Sequence, residues 1–113
     1  MKISIITVSF NSASTIRDTI NSVQNQSYKN IEHIVVDGNS SDGTVDIIKE
    51  YTNIKFISEP DDGIYYAMNK GVNLASGDVV GFLNSDDIFM DDKCVEEIAR
   101  SFTMEEEIDL VFG

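Results

Sequence analysis

The sequence predicts an α/β fold, a Rossmann-like, mainly parallel sheet with helices on both faces, and three observations lead there. Five short apolar runs rich in β-branched residues recur along the chain, and four stretches with apolar residues three and four apart separate them. The runs are continuous rather than alternating, as strands buried on both faces are. Strict alternation of strand and helix requires crossover connections, which join parallel strands. The predicted order is therefore β-α-β-α-β-α-β-α-β.

The first strand is predicted over Ile3 to Phe10, and the first helix carries Ile16, Ile20 and Val23, with Ser12 as its cap. Ile31 to Val36 reads as the second strand; the turn Ser41-Asp42-Gly43-Thr44 follows, then a helical stripe of Val45, Ile48 and Tyr51. Ile54 to Ile57 is the third strand, and after Asp62-Gly63 the residues Ile64, Met68, Gly71 and Ala75 recur at helical spacing. Val79 to Leu83 is the fourth strand, with Asp91-Asp92 ahead of a helix bearing Val95, Ile98 and Phe102. Ile108 to Phe112 reads as a fifth strand ending where the sequence ends, so residues 1–113 are expected to form one part of a larger domain. No linker, low-complexity tract or repeat beyond the β-α unit interrupts them.

Composition narrows the function classes. With 113 residues, 42% hydrophobic content and one proline the chain reads as a globular domain, and no run approaches the roughly 20 apolar residues of a membrane span. The opening Met1 to Val8 is too short an apolar run for a signal peptide, which predicts a cytoplasmic location. A net charge of −12 with eight basic residues argues against nucleic acid as partner, because polyphosphate backbones are bound through clustered Lys and Arg. Cys94 is the single cysteine, so no internal disulfide and no thiolate metal site is expected. His33 lies inside an apolar run and is read as structural.

In an open parallel sheet ligands bind outside the carboxyl ends of the strands. Ser9, Phe10 and Asn11 follow the first strand, Asp37 the second, Glu59, Asp61 and Asp62 the third, and Asn84, Ser85, Asp86 and Asp87 the fourth. Three of these four strand ends bring carboxylates to one rim. Crowded carboxylates repel, and the repulsion is relieved either by protonation or, more simply, by a bound divalent cation. Mg²⁺ and Mn²⁺ take one or two carboxylates, keep several waters and fill the remaining positions with phosphate oxygens. The competing explanation is that strand-end aspartates are turn residues and caps, as Asp42 and Asp91 are expected to be. The first β-α turn, Ser9-Phe10-Asn11-Ser12-Ala13, has no glycine for a dinucleotide, and no P-loop occurs. Asp37 to Ile48 is a poor calcium loop, because its glycine is one place late and Ile48 stands where a Glu is needed.

Four segments acquire a common meaning: Ile5-Ile6-Thr7-Val8-Ser9-Phe10-Asn11, Val35-Val36-Asp37-Gly38-Asn39-Ser40-Ser41-Asp42-Gly43-Thr44, Ser58 to Tyr65 with Ala67-Met68-Asn69-Lys70-Gly71, and Asn84-Ser85-Asp86-Asp87. In this order and on these elements they resemble family 2 glycosyltransferases of GT-A fold. The third segment is similar to a branch that builds bacterial capsule and exopolysaccharide, including colanic-acid-type enzymes. The resemblance implies an inverting transferase that moves a sugar from a nucleoside diphosphate sugar, commonly a UDP-sugar, to a cell-surface polysaccharide or lipid-linked saccharide acceptor. It implies that Asp37 accepts a hydrogen bond from the base, that Val8 and Phe10 line the base, and that Asp61 adds a polar contact to base or ribose. It implies that Asn69 and Lys70 open a helix turn facing the diphosphate, that Asn84 meets a ribose hydroxyl, and that Asp86 with Asp87 binds Mg²⁺ or Mn²⁺. The family's general base lies after the fifth strand, beyond Gly113, and Asp109 is a poor substitute. Acceptor binding, and any peripheral association with the inner face of the membrane, is likewise assigned to that absent part. The chain departs from the family at Asn84, where an aspartate is usual, at Asp62, where a basic residue is frequent, and at Tyr66, where an aspartate is frequent.

Two other readings compete. A nucleotide-sugar-binding module without catalysis fits the same residues. A phosphate-accepting receiver domain also places carboxylates at strand ends, but needs them after the first strand, where this chain has Ser9 and Asn11.

Overall fold

The computed structural model describes residues 1–60, 63–104 and 110–112. The elements are β1 (Ile3–Ser9), α1 (Ile16–Gln24), β2 (Ile31–Asp37), α2 (Thr44–Ile48), β3 (Ile54–Ser58), α3 (Ile64–Leu74), β4 (Val79–Leu83), α4 (Cys94–Met104) and β5 (Leu110–Phe112). All four strand pairings are parallel, in the order β3-β2-β1-β4-β5. The expected alternation and parallel sheet are both present.

Period-two alternation within the strands divides the core. Ile3 and Ile5 of β1 with Val79 and Leu83 of β4 pack against Val23 of α1 and Val95 and Ala99 of α4. On the same face Val35 meets Ile16 and Ile20 of α1 and Ile48 of α2. The opposite face, Ile6, Ile34 and Val36, is covered by Ala67 of α3. Helix α3 lies unusually close: a Cβ on Gly71 would stand 2.4 Å from Cγ2 of Ile6.

Several local expectations are corrected. Ser12 is not the side-chain cap of α1. Thr15 takes the N-cap position without a side-chain cap bond, while the backbone carbonyl of Ser12 accepts the N–H groups of Thr15 and Ile16. Helix α2 stops at Ile48, so Tyr51 reaches its cluster from the turn beyond. In α3 Gly71 of the expected stripe is buried and Ala75 packs against the sheet, but Ile64 is 56% exposed and Ala67, outside that stripe, is buried. The fifth strand is described over Leu110–Phe112; Ile108 and Asp109 lie outside the described residues.

The amino ends of the strands are tied by Glu32, 8% exposed, which accepts hydrogen bonds from Ser4 Oγ, Ser76 N–H and Ser76 Oγ at 2.8, 2.8 and 2.9 Å. Lys55 Nζ lies 2.6 Å from it and Lys2 Nζ 3.4 Å. Burial pushes this carboxyl up, but the Lys55 contact and the Ser4 and Ser76 donors outweigh it and hold the group well below the usual range. With one end fastened, the open crevice is left at the other. Because β1 has β2 on one side and β4 on the other, the connections diverge there, and the crevice lies outside the carboxyl ends of β1 and β4.

Candidate functional site

The site is assembled from two turns that follow β1 and β2. Asn11 and Asn39 both take positive φ, 48° and 69°, a conformation that asparagine tolerates better than most residues. Cross-bonds hold the turns together: Ser40 Oγ accepts the Asn11 N–H at 2.8 Å, and Asn11 Oδ1 accepts the Ser41 N–H at 2.9 Å. Ser12 N–H donates to Thr44 Oγ1 at 2.8 Å, and Asp42 accepts from Ala13 N–H, Thr44 N–H and Thr44 Oγ1. Asp42 is thus the turn residue expected of it. Asp91 likewise accepts the Lys93 N–H at the start of α4.

Asp37 is fully buried at the floor of this construction. Its Oδ1 accepts from Ser9 Oγ at 2.7 Å and Ser40 Oγ at 2.6 Å; its Oδ2 accepts from Ser40 N–H at 2.8 Å and Ser58 Oγ at 2.9 Å. Burial raises its pKa, but the Ser40, Ser9 and Ser58 donors more than offset this and keep the carboxyl below its ordinary value. Four donors occupy about the four lone-pair positions of a carboxylate. In this arrangement Asp37 joins the ends of β1, β2 and β3.

Next to these turns, at the start of α3, lies a cleft of about 280 Å³ lined by Ser9, Phe10, Gly38, Gly63 and Ile64. Phe10 is 62% exposed, so its ring face is available for stacking. Of the base-lining residues expected from sequence, Phe10 lines this cleft, whereas Val8 packs with the Ile6 and Val36 cluster behind it. Gly38, Gly63 and Ile64 were not anticipated. Asp61 and Asp62 lie outside the described residues. Asn69 and Lys70 do not open a helix turn; they sit within α3, with Asn69 exposed and Lys70 Nζ 2.8 Å from Glu59 at the end of β3. Tyr66 is exposed on the first turn of α3.

The carboxylates after β4 are disposed differently from Asp37. Asn84 and Asp86 are exposed and Asp87 half-buried, in a turn closed by Asp87 N–H donating to Asn84 O at 3.0 Å. Among the described residues neither carboxylate has a hydrogen-bond or ion-pair partner. No group of three or more His, Cys, Asp or Glu among them could by itself hold an ion. Two free, adjacent carboxylates without a protein cage suit Mg²⁺ or Mn²⁺, which retain waters and share their shell with phosphate. The two loops meet, since Ser12 Oγ lies 2.7 Å from Ser85 Oγ.

No helix among the described residues is long and apolar enough to cross a membrane. His33 is buried in the sheet with Nε2 2.8 Å from Thr7 Oγ1, remote from this rim.

The profile of glycosyl transferase family 2 matches residues 4–112. An uncharacterized glycosyltransferase of Mycobacterium tuberculosis is 38% identical over 114 residues, covering 98% of this chain and 44% of its own. TuaG of Bacillus subtilis, whose name assigns it provisionally to teichuronic acid biosynthesis as a glycosyltransferase, is 39% identical over 108 residues, 91% of this chain and 42% of its own. The crystal structure of Staphylococcus aureus TarS 1-349 with UDP-GlcNAc superposes with a TM-score of 0.85 at 28% identity, covering 92% of this chain and 32% of that one. The chain therefore spans less than half the length of each of these relatives.

Proposed function

Because the chain belongs to glycosyl transferase family 2, we propose that it forms the donor-binding half of a transferase that moves a sugar from a nucleoside diphosphate sugar to a saccharide acceptor. The observation that carries this reading is the junction of two unlike loops: an aromatic-walled cleft beside Phe10 and a free carboxylate pair at Asp86 and Asp87, in contact through Ser12 and Ser85. A planar base suits the first and a metal-bound diphosphate the second. TarS, bound to UDP-GlcNAc in the structure this fold matches, makes a UDP-sugar the first donor to test.

In this reading Phe10 stacks on the base, and Gly38 and Gly63 let it approach the backbone. Asp37 takes the base N–H by releasing one of its serine donors, and Asp61 adds a contact to base or ribose. Asn84 meets a ribose hydroxyl. Asn69 contributes from α3, and Lys70 reaches the diphosphate only by leaving Glu59. Asp86 and Asp87 would hold Mg²⁺ or Mn²⁺, which neutralises charge on the departing diphosphate. Transfer is by inversion, with the acceptor, a cell-surface polysaccharide or lipid-linked saccharide, and its general base supplied outside residues 1–113. In this reading transfer takes place in the cytoplasm, at the inner face of the membrane.

Uridine binding tests the cleft without involving the diphosphate. Phe10→Ala is expected to weaken it by about 1–3 kcal/mol, the usual worth of one base stacked on an aromatic ring. Equal uridine affinity in the two proteins would remove the base from this cleft.

A further inference from the structure

The segment from Asn84 to Lys93 has no helix or strand of its own, yet its backbone is fastened along its length to one face of α1 and the turns that flank it. The fasteners of its backbone are Thr15, Thr19, Ser22 and Gln26, spaced four, three and four residues apart along one side of α1 and its flanking turns, while Ser12 Oγ meets the Ser85 side chain. Thr15 Oγ1 donates to Ser85 O at 2.8 Å. Thr19, fully buried, places Oγ1 2.6 Å from Asp87 O and 3.0 Å from Ser85 O. A hydroxyl has one proton, so Thr19 serves Asp87 O, the nearer carbonyl, and Thr15 serves Ser85 O. Further along, Ser22 Oγ accepts the Phe89 N–H at 3.2 Å, Gln26 Nε2 donates to Asp91 O at 2.6 Å, and Gln26 Oε1 accepts the Val95 N–H at 3.0 Å.

The two carbonyls held by Thr15 and Thr19 belong to the residues on either side of Asp86. The Ser85 carbonyl lies in the peptide entering Asp86 and the Asp87 carbonyl in the peptide leaving Asp87, so the backbone on either side of the carboxylate pair is fixed from behind while the Asp86 carboxylate projects free. We propose that Thr19, assisted by Thr15, is a positioning residue that sets the direction in which Asp86 and Asp87 meet a divalent cation. The inference rests on the donor-site reading above and adds to it the residues that hold the cation's ligands in place. Groups behind metal ligands typically alter metal affinity by about 10- to 100-fold when removed.

The test uses the full chain with Mn²⁺ and UDP, read by calorimetry and by the electron paramagnetic resonance of bound Mn²⁺, with uridine binding as the metal-free control. Thr19→Val keeps the shape and removes the donor; it is expected to weaken Mn²⁺-dependent UDP binding about tenfold while uridine affinity is unchanged. Thr19→Ser restores the donor and is expected to return the affinity to within about threefold of the parent. Should Thr19→Val fold poorly, Thr15→Val, at a half-buried position, loses the partner bond to Ser85 O and is expected to shift the same readouts in the same direction. Wild-type Mn²⁺ affinity in both valine variants, failure of serine to restore it, or a parallel loss of uridine binding overturns the inference. Asp86→Ala separates the two levels. If it weakens Mn²⁺·UDP binding and the valine variants do not, only the positioning role falls; if it leaves binding intact, the donor-site reading falls and the positioning role with it.

Discussion

At Asp37 four donors from three serines converge on one buried carboxylate, whereas at Asp86 the carboxylate stands in solvent with its neighbours' carbonyls tied down. Both follow a strand, and the difference comes from what the adjoining loops carry. Asp37 is ringed by Ser9, Ser40 and Ser58, while Thr15 and Thr19 beside Asp86 donate to main-chain carbonyls. Of the titrating side chains, His33 has the clearest pH signature. Burial holds its imidazole at about 4, below its ordinary 6.5, and among the described residues its Nδ1 has no partner. Between these values the unfolded chain binds a proton that the folded chain refuses, so stability is complete above 6.5 and declines as the pH falls toward 4. At about 1.4 kcal/mol per unit, urea unfolding should show a loss of about 2–3 kcal/mol from pH 7 to 4.5, greatly reduced in His33→Leu. An equal slope in the variant would assign the loss to other groups. The acidic rim and the structural character of His33 were legible because residue type and strand position suffice for both. The saturation of Asp37 was not, because Ser9, Ser40 and Ser58 come from three separate segments that only the fold brings together.

At the level of elements, the apolar spacing located all four helices, but it followed only one stripe of each. Ile16, Ile20 and Val23 mark the core face of α1, while the polar stripe of Thr15, Thr19, Ser22 and Gln26 was equally present and went unread. A polar residue repeated at helical spacing is ordinarily solvated, and its burial depends on the irregular segment after β4 that covers it. Helix α3 shows the converse. Its sequence spacing pointed to Ile64, Met68, Gly71 and Ala75, yet Ile64 is exposed and the close approach to β1 is made by Gly71 together with Ala67, because small residues admit it. Gly71→Ala would gain up to about 1 kcal/mol in helix propensity. The added methyl, however, meets the branched and buried Ile6 at 2.4 Å, and overpacking of that kind costs about 1–3 kcal/mol. Net destabilisation of roughly 1–2 kcal/mol is expected, seen as a lower urea midpoint with an unchanged m-value; an unchanged or higher midpoint would show that α3 shifts freely on the sheet.

For the whole molecule, alternation of strand and helix was enough to predict a parallel sheet covered on two faces, and the structure has both. The strand order β3-β2-β1-β4-β5 was not legible, because the sequence contains the strands but not their neighbours. That order is what places the crevice, since the chain turns back across β1 between β3 and β4. The fold and the family follow from 109 matched residues, 4 through 112. The central claim, a donor site built from the β1 and β4 ends, is tested most directly by titrating UDP into the chain with Mn²⁺ and again with chelator, for the parent and for Asp86→Ala. The account predicts binding that requires the metal and weakens at least about tenfold in the variant. Binding that is absent from the folded parent, or that persists undiminished in chelator and in Asp86→Ala, would contradict it.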